Sequence, residues 1–186
     1  MNNKSNKNTK GQFVISLDFE LLWGVRDKRT AQSYAQNILG VQQLIPKLLQ
    51  LFEHYNIKAT FATVGFLFAK NKQELLTYIP PFERQPQYID ANLSPYNGHF
   101  DLIKNNATTD TDHFHFASHL IQLIKKHHEQ ELATHTFSHY YCLENGQTIH
   151  DFEADLLAAK NIAQQQNIPL HSLVFPRNQF NENYLN

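Results

Sequence analysis

Short apolar runs alternate along this chain with segments whose apolar residues recur at helical spacing, and that alternation restricts the fold more than any other feature. Phe13-Val14-Ile15-Ser16-Leu17, residues 58–64, 131–134 and 172–175 read as strands of the continuous apolar kind found in buried parallel sheets. Between them, residues 33–54 carry Ile38, Val41, Leu44, Ile45, Leu48, Leu51 and Phe52 on one helical face, with Pro46 expected to kink or split the helix. Residues 65–78, 113–128 and 148–166 read as further helices. Strands separated by helices imply right-handed crossovers and a parallel α/β sheet or barrel. Four strands are too few to close a barrel, so the architecture reads as unfinished.

A length of 186 residues with 41% hydrophobic residues suits one packed domain. The formal charge of -1 gives no broad electrostatic footprint for nucleic acid, and no apolar run approaches the roughly 20 residues of a membrane span. Residues 1–11 read as a flexible polar tail without the apolar stretch of a secretory signal, and residues 12–186 as the folded part. Cys142 is the single cysteine, which fits a reducing compartment. The expectation is a soluble, cytoplasmic protein. Residues 80–112 hold four prolines and show no sustained periodicity, as a functional loop does.

Parallel α/β folds collect ligands at the carboxyl ends of their strands. Asp18-Phe19-Glu20 follows the first strand, His135-Thr136-Phe137-Ser138-His139 the third, and Arg177 the fourth. A carboxylate with two neutral imidazoles is a common ligand set for a catalytic divalent metal, with a position left for water. A second carboxylate can serve as general base, and an arginine can hold that base ionised and oriented. The chain holds eleven histidines, and most need no special role. His115 and His119 share the spacing of His135 and His139, but they fall within an expected amphipathic helix. His127-His128 fits a helix C-terminus, where imidazolium meets the helix dipole favourably.

At these positions the chain resembles the polysaccharide deacetylases. Ser16-Leu17-Asp18-Phe19-Glu20, the stretch from His135 through Tyr140-Tyr141-Cys142-Leu143 to Glu144, and Phe175-Pro176-Arg177-Asn178-Gln179 look like that family's first three motifs, in the branch found with bacterial surface-polysaccharide genes. The resemblance implies a distorted (β/α) barrel and a divalent metal, zinc first among the candidates, used to remove acetyl groups from N-acetylated sugars. It also implies Asp18 as the base, Glu20, His135 and His139 as metal ligands, and Arg177 as the residue that orients Asp18. Two departures accompany it: Phe19 separates the two acids, and Ala133 stands where a glycine is usual.

The family's later strands and its late histidine have no counterpart here, so the chain reads as the N-terminal portion of such a catalytic domain. A non-catalytic remnant that binds carbohydrate, pairs with a complementary C-terminal chain or self-associates is the alternative. A phosphohydrolase with Asp18 as nucleophile ranks behind both, because it leaves the histidine pair idle.

Overall fold

The computed structural model describes residues 11–184; the expected tail lies almost wholly outside the described residues. The chain is α/β. Three short strands, β1 (Ser16–Phe19), β2 (Thr60–Thr63) and β3 (Glu131–Thr134), form a parallel sheet in the order β1-β2-β3. Its register aligns Phe19 with Thr63, and Thr63 with Thr134, so all three strands end at one level. The helices are α1 (Ala31–His54), α2 (Lys72–Tyr78), α3 (Ser118–Lys126) and α4 (Ile149–Gln165).

The expected fourth strand shrinks to a single parallel bridge between Thr134 and Leu173, held by Thr134 N–H on Ser172 O and Val174 N–H on Thr134 O, both 3.0 Å. The chain then turns away through Pro176 and left-handed backbone at Arg177 and Asn178, which ends the pairing. Among the described residues the sheet is open and no barrel is formed. No described helix is long and apolar enough to cross a membrane.

Helix α1 begins at a capping box in which Thr30 and Ser33 satisfy each other's backbone N–H, and it runs unbroken through Pro46. Buried Ile38, Ile45, Leu49 and Phe52 anchor the helix on both sides of the proline, which compensates for the missing N–H. Its apolar face is narrower than the spacing suggests: Leu44 and Leu51 remain about half exposed. The expected helix over 65–78 is interrupted, because the Asn71 side chain caps a new start by accepting the Glu74 N–H. The helix expected from 113 starts only at Ser118. The Asp112 carboxylate takes the N–H groups of Phe114 and His115, and Trp23 Nε1 donates to His115 O, so residues 112–117 are spent in a turn.

One continuous core joins Phe52, Phe61, Phe66, Phe68, Ile121, Ile124, Leu132 and Ile162, packing α1, α3 and α4 around the sheet. Residues 80–112 contain three short 3-10 turns. They lie against the histidine segment: the Tyr88 hydroxyl accepts the Tyr141 N–H at 2.8 Å, and Ile89 N–H donates to Asn145 O at 3.0 Å.

Candidate metal centre

Parallel pairing with a common end brings the segments after β1 and β3 to one edge of the sheet. His135 follows β3, and its N–H donates to Thr63 O at 2.9 Å, which fixes its height. Residues 136–139 then form a tight loop with left-handed backbone at Thr136 (φ 64°) and His139 (φ 59°). Such conformations are costly for residues with a Cβ and persist only where surroundings enforce them.

Those surroundings are identifiable. Gly65, just past β2, donates to Thr136 O at 2.9 Å, and a Cβ there would lie 2.8 Å from the Phe137 Cα. From α4, the fully buried Asp155 carboxylate accepts the N–H groups of Phe137 (2.6 Å) and Ser138 (3.1 Å), and the Ser138 hydroxyl as well. Burial pushes the Asp155 carboxyl up to about 7, even though these donors favour its ionised form. Asp155 escaped the sequence reading, since a lone acid within a helix forms no pattern.

The loop turns both imidazoles onto Glu20. The Glu20 Oε2 lies 3.0 Å from His139 Nε2 and 3.5 Å from His135 Nε2, and one ligand atom from each of the three residues falls within a 4.8 Å group. Glu20 reaches this place because β1 ends at Phe19 and the backbone bends at Glu20 (ψ -17°). Its carboxylate lies over Gly24, where a Cβ would come within 1.9 Å of it.

Hydrogen bonding fixes how the histidines present themselves. A carbonyl can only accept, so His135 Nδ1–H donates to Val174 O at 2.9 Å, and the lone pair of neutral His135 is on Nε2. That Nε2 is buried and has no hydrogen-bond partner among the described residues, while it faces Glu20 and, at 4.0 Å, Asp18. A buried lone pair opposite carboxylates is unfavourable without a cation between them. His139 Nδ1 meets the Tyr141 hydroxyl at 2.9 Å, a polar partner on the far side of the ring of the kind that orients ligating histidines. Burial pushes the His139 imidazole down despite Glu20, which keeps it neutral as a ligand must be. Burial raises Glu20, but the neighbouring imidazoles outweigh it and bring its carboxyl to about 2.

Asp18 stands at the rim, about half exposed, with His135 as its nearest ionic neighbour. Asp18 and Glu20 thus approach the same imidazole from a half-exposed and a mostly buried position.

Arg177 does not orient Asp18. Its guanidinium donates to Asp27 Oδ1 at 2.6 Å and lies 4.5 Å over the Tyr141 ring. The left-handed turn at Arg177 and Asn178 carries the side chain toward residue 27. Arg177 thus lies against Tyr141, the hydrogen-bond partner of His139.

The histidines set aside as decoys lie elsewhere and have partners of their own. His115 Nδ1 contacts Asp112 at 2.8 Å, whereas His119 sits between Thr109 and Gln42, each at 2.7 Å. His119 is on α3 as expected; His115 belongs to the preceding turn. His127 caps the end of α3.

Comparison with family models, with curated proteins and with solved structures gives no match. The site is defined by the chain's own geometry.

Proposed function

We propose that the chain is a metal-dependent amidohydrolase that removes acetyl groups from an N-acetylated sugar, with the polysaccharide deacetylases as the family it resembles and their distorted barrel as the wider architecture. The observation that carries this reading is the buried, partnerless Nε2 of His135 facing Glu20 beside His139. Two imidazoles and one carboxylate fit a divalent cation of the zinc type, so Glu20, His135 and His139 would hold it. When bound, the cation polarises the acetamide carbonyl and acidifies water.

The chain's own groups do the rest. Asp18, accessible at the rim beside His135, accepts the proton of the attacking water. His135 and His139 are held in orientation by Val174 O and the Tyr141 hydroxyl, so little reorganisation accompanies reaction. Burial raises the Tyr141 hydroxyl, which therefore stays protonated at neutral pH.

The test is acetate release from N-acetylated chitooligosaccharides by zinc-loaded protein, with Asp18→Asn as control. Turnover lost in Asp18→Asn at unchanged metal content supports the reading. Stoichiometric zinc uptake with no acetate release by the unaltered protein would leave carbohydrate binding without hydrolysis, which the absence of Arg177 from Asp18 favours.

A further inference from the structure

Beside the metal centre lies a cleft of about 310 Å³ lined by Arg26, Asp27, Asn92, Ser94, Asn97 and His99. The 20–27 segment joins the two: Gly24 lies against the Glu20 carboxylate, and Trp23 packs its ring 5.1 Å from that of His99.

Charge in this cleft is not balanced. Asp27 is committed, since its side chain is only 6% exposed and accepts from Arg177 at 2.6 Å. Arg26 has no such partner. Its Nη1 donates to Asn92 O at 2.7 Å and its Nη2 to Leu93 O, while its Nε is buried without a hydrogen-bond partner among the described residues. The carbonyls orient the guanidinium but carry no formal charge, so they do not neutralise it. Burial, with the charge of Arg177 added, pushes the Arg26 guanidinium down from its ordinary value, against the pull of Tyr141, Asp27 and Tyr88. Arginine still stays protonated at neutral pH. Two guanidinium groups therefore meet one carboxylate here, and one positive charge is left over. His99 adds none at pH 7, because burial first, then His115 and Arg26, bring it down to about 4. The Nη1 bond of Arg26 is exposed, so the excess charge can be reached from the cleft without moving the buried Nε.

We infer that this cleft binds a carboxylate group, with Arg26 as its counter-charge and the Ser94 and Asn97 side chains as further hydrogen-bond donors. The class follows from the count of charges. One carboxylate matches the single excess charge, whereas a phosphate, at nearly two negative charges, overshoots it beside Asp27 and close to Glu20. A guanidinium already fixed by two carbonyls loses little freedom when the anion arrives. Two sources share this chemistry: a uronic acid within the saccharide that reaches the metal centre, and acetate released there. The naming of these sources rests on the hydrolytic reading; the charge of the cleft does not.

The experiment is a heteronuclear NMR titration of the full chain, zinc-free and zinc-loaded, with glucuronate, glucuronamide, acetate and inorganic phosphate. Glucuronate or acetate should move the resonances of Arg26, Asn97 and His99 in both forms of the protein. Glucuronate should bind about tenfold or more tightly than glucuronamide, its neutral counterpart, in the unaltered protein. Arg26→Gln should abolish that preference. Because Arg26 also holds the backbone at Asn92 and Leu93, Arg26→Lys is the second variant, and with the charge kept it should retain most of the preference. Acetate bound as tightly as glucuronate makes the released product the ligand, and weaker acetate makes it the uronic acid. Equal binding of glucuronate and glucuronamide, tighter binding of phosphate, a response confined to zinc-loaded protein, or a preference that survives in Arg26→Gln overturns the proposal. Absence of acetate release from N-acetylated chitooligosaccharides overturns the hydrolytic reading alone, because none of these titrations depends on turnover.

Discussion

The carboxylate of Asp155 stands 2.6 Å from the backbone nitrogen of Phe137, midway between the two histidines of the candidate centre. A buried acid on α4 thereby holds a loop whose backbone is left-handed at two positions. Asp155→Asn keeps the shape but turns an amide N–H toward donors that need an acceptor. We expect it to fold and to lose zinc affinity about 10- to 100-fold, as changes behind ligating histidines do. Asp155→Ala leaves two buried N–H groups without partners and should cost about 2 kcal/mol or more in stability as well. Competition against a chromophoric chelator checks the first and urea unfolding the second. Wild-type zinc affinity in Asp155→Asn would show that the loop holds its shape unaided.

Asp155 and Glu20 should give stability slopes of opposite sign with pH. The Asp155 carboxyl titrates near 7 in the folded protein against 3.8 for an unperturbed group. Its contribution is thus full below the lower value and is lost as pH rises through the upper one. Glu20 is displaced from 4.5 to about 2, so its contribution is present above the higher value and is lost as pH falls toward the lower. Urea titrations of metal-free protein should show Asp155→Asn flattening the neutral limb and Glu20→Gln the acid limb. A neutral limb unchanged in Asp155→Asn would mean that the carboxylate is ionised in its buried site.

The ligand assignment itself separates two histidine pairs of identical spacing. His135→Ala or His139→Ala should reduce zinc affinity at least about 100-fold, since each removes one of the three proposed ligands. The double change His115→Ala/His119→Ala should leave zinc affinity within about twofold, though it loses bonds to Asp112, Thr109 and Gln42 and should lower the melting temperature. Equilibrium dialysis decides, and the reverse ranking would place the metal on the wrong pair.

What could be read from the sequence follows physical range. The third strand was expected over residues 131–134, and β3 occupies those residues, because a short apolar run in a parallel sheet carries its own signal. The convergence of Glu20 with His135 and His139 was legible because strand ends in a parallel sheet share one edge, whatever the connecting helices do. Arg177 was misplaced because its direction depends on two left-handed residues, neither of them glycine, which no periodicity announces. The helix start at Ser118 was missed because Asp112 competes for backbone N–H groups that an extrapolated apolar pattern assigns to the helix. Asp155 and Tyr141 act through contacts distant in sequence or across a tight loop, and only the folded chain brings those together.

Gly24 and Gly65 should respond to alanine in different ways, and the contrast tests how Glu20 is placed. At Gly24 the three atoms nearest a Cβ all belong to the Glu20 carboxyl group, at 1.9 to 2.3 Å, and that is the far end of a flexible side chain. Gly24→Ala should therefore fold with a loss below about 1 kcal/mol while swinging Glu20 off the histidines. Zinc affinity should fall about tenfold or more as a ligand is displaced. At Gly65 the Cβ would meet the Phe137 backbone at 2.8 Å and its ring at 2.5 Å, atoms fixed by the core and by Asp155. Gly65→Ala should destabilise the fold by about 1 to 3 kcal/mol through overpacking, and any loss of zinc should follow from that. Calorimetric melting and zinc titration on both variants separate the effects. Equal melting losses in the two, or full zinc affinity in Gly24→Ala, would show that the Glu20 carboxylate does not depend on the bare backbone at Gly24.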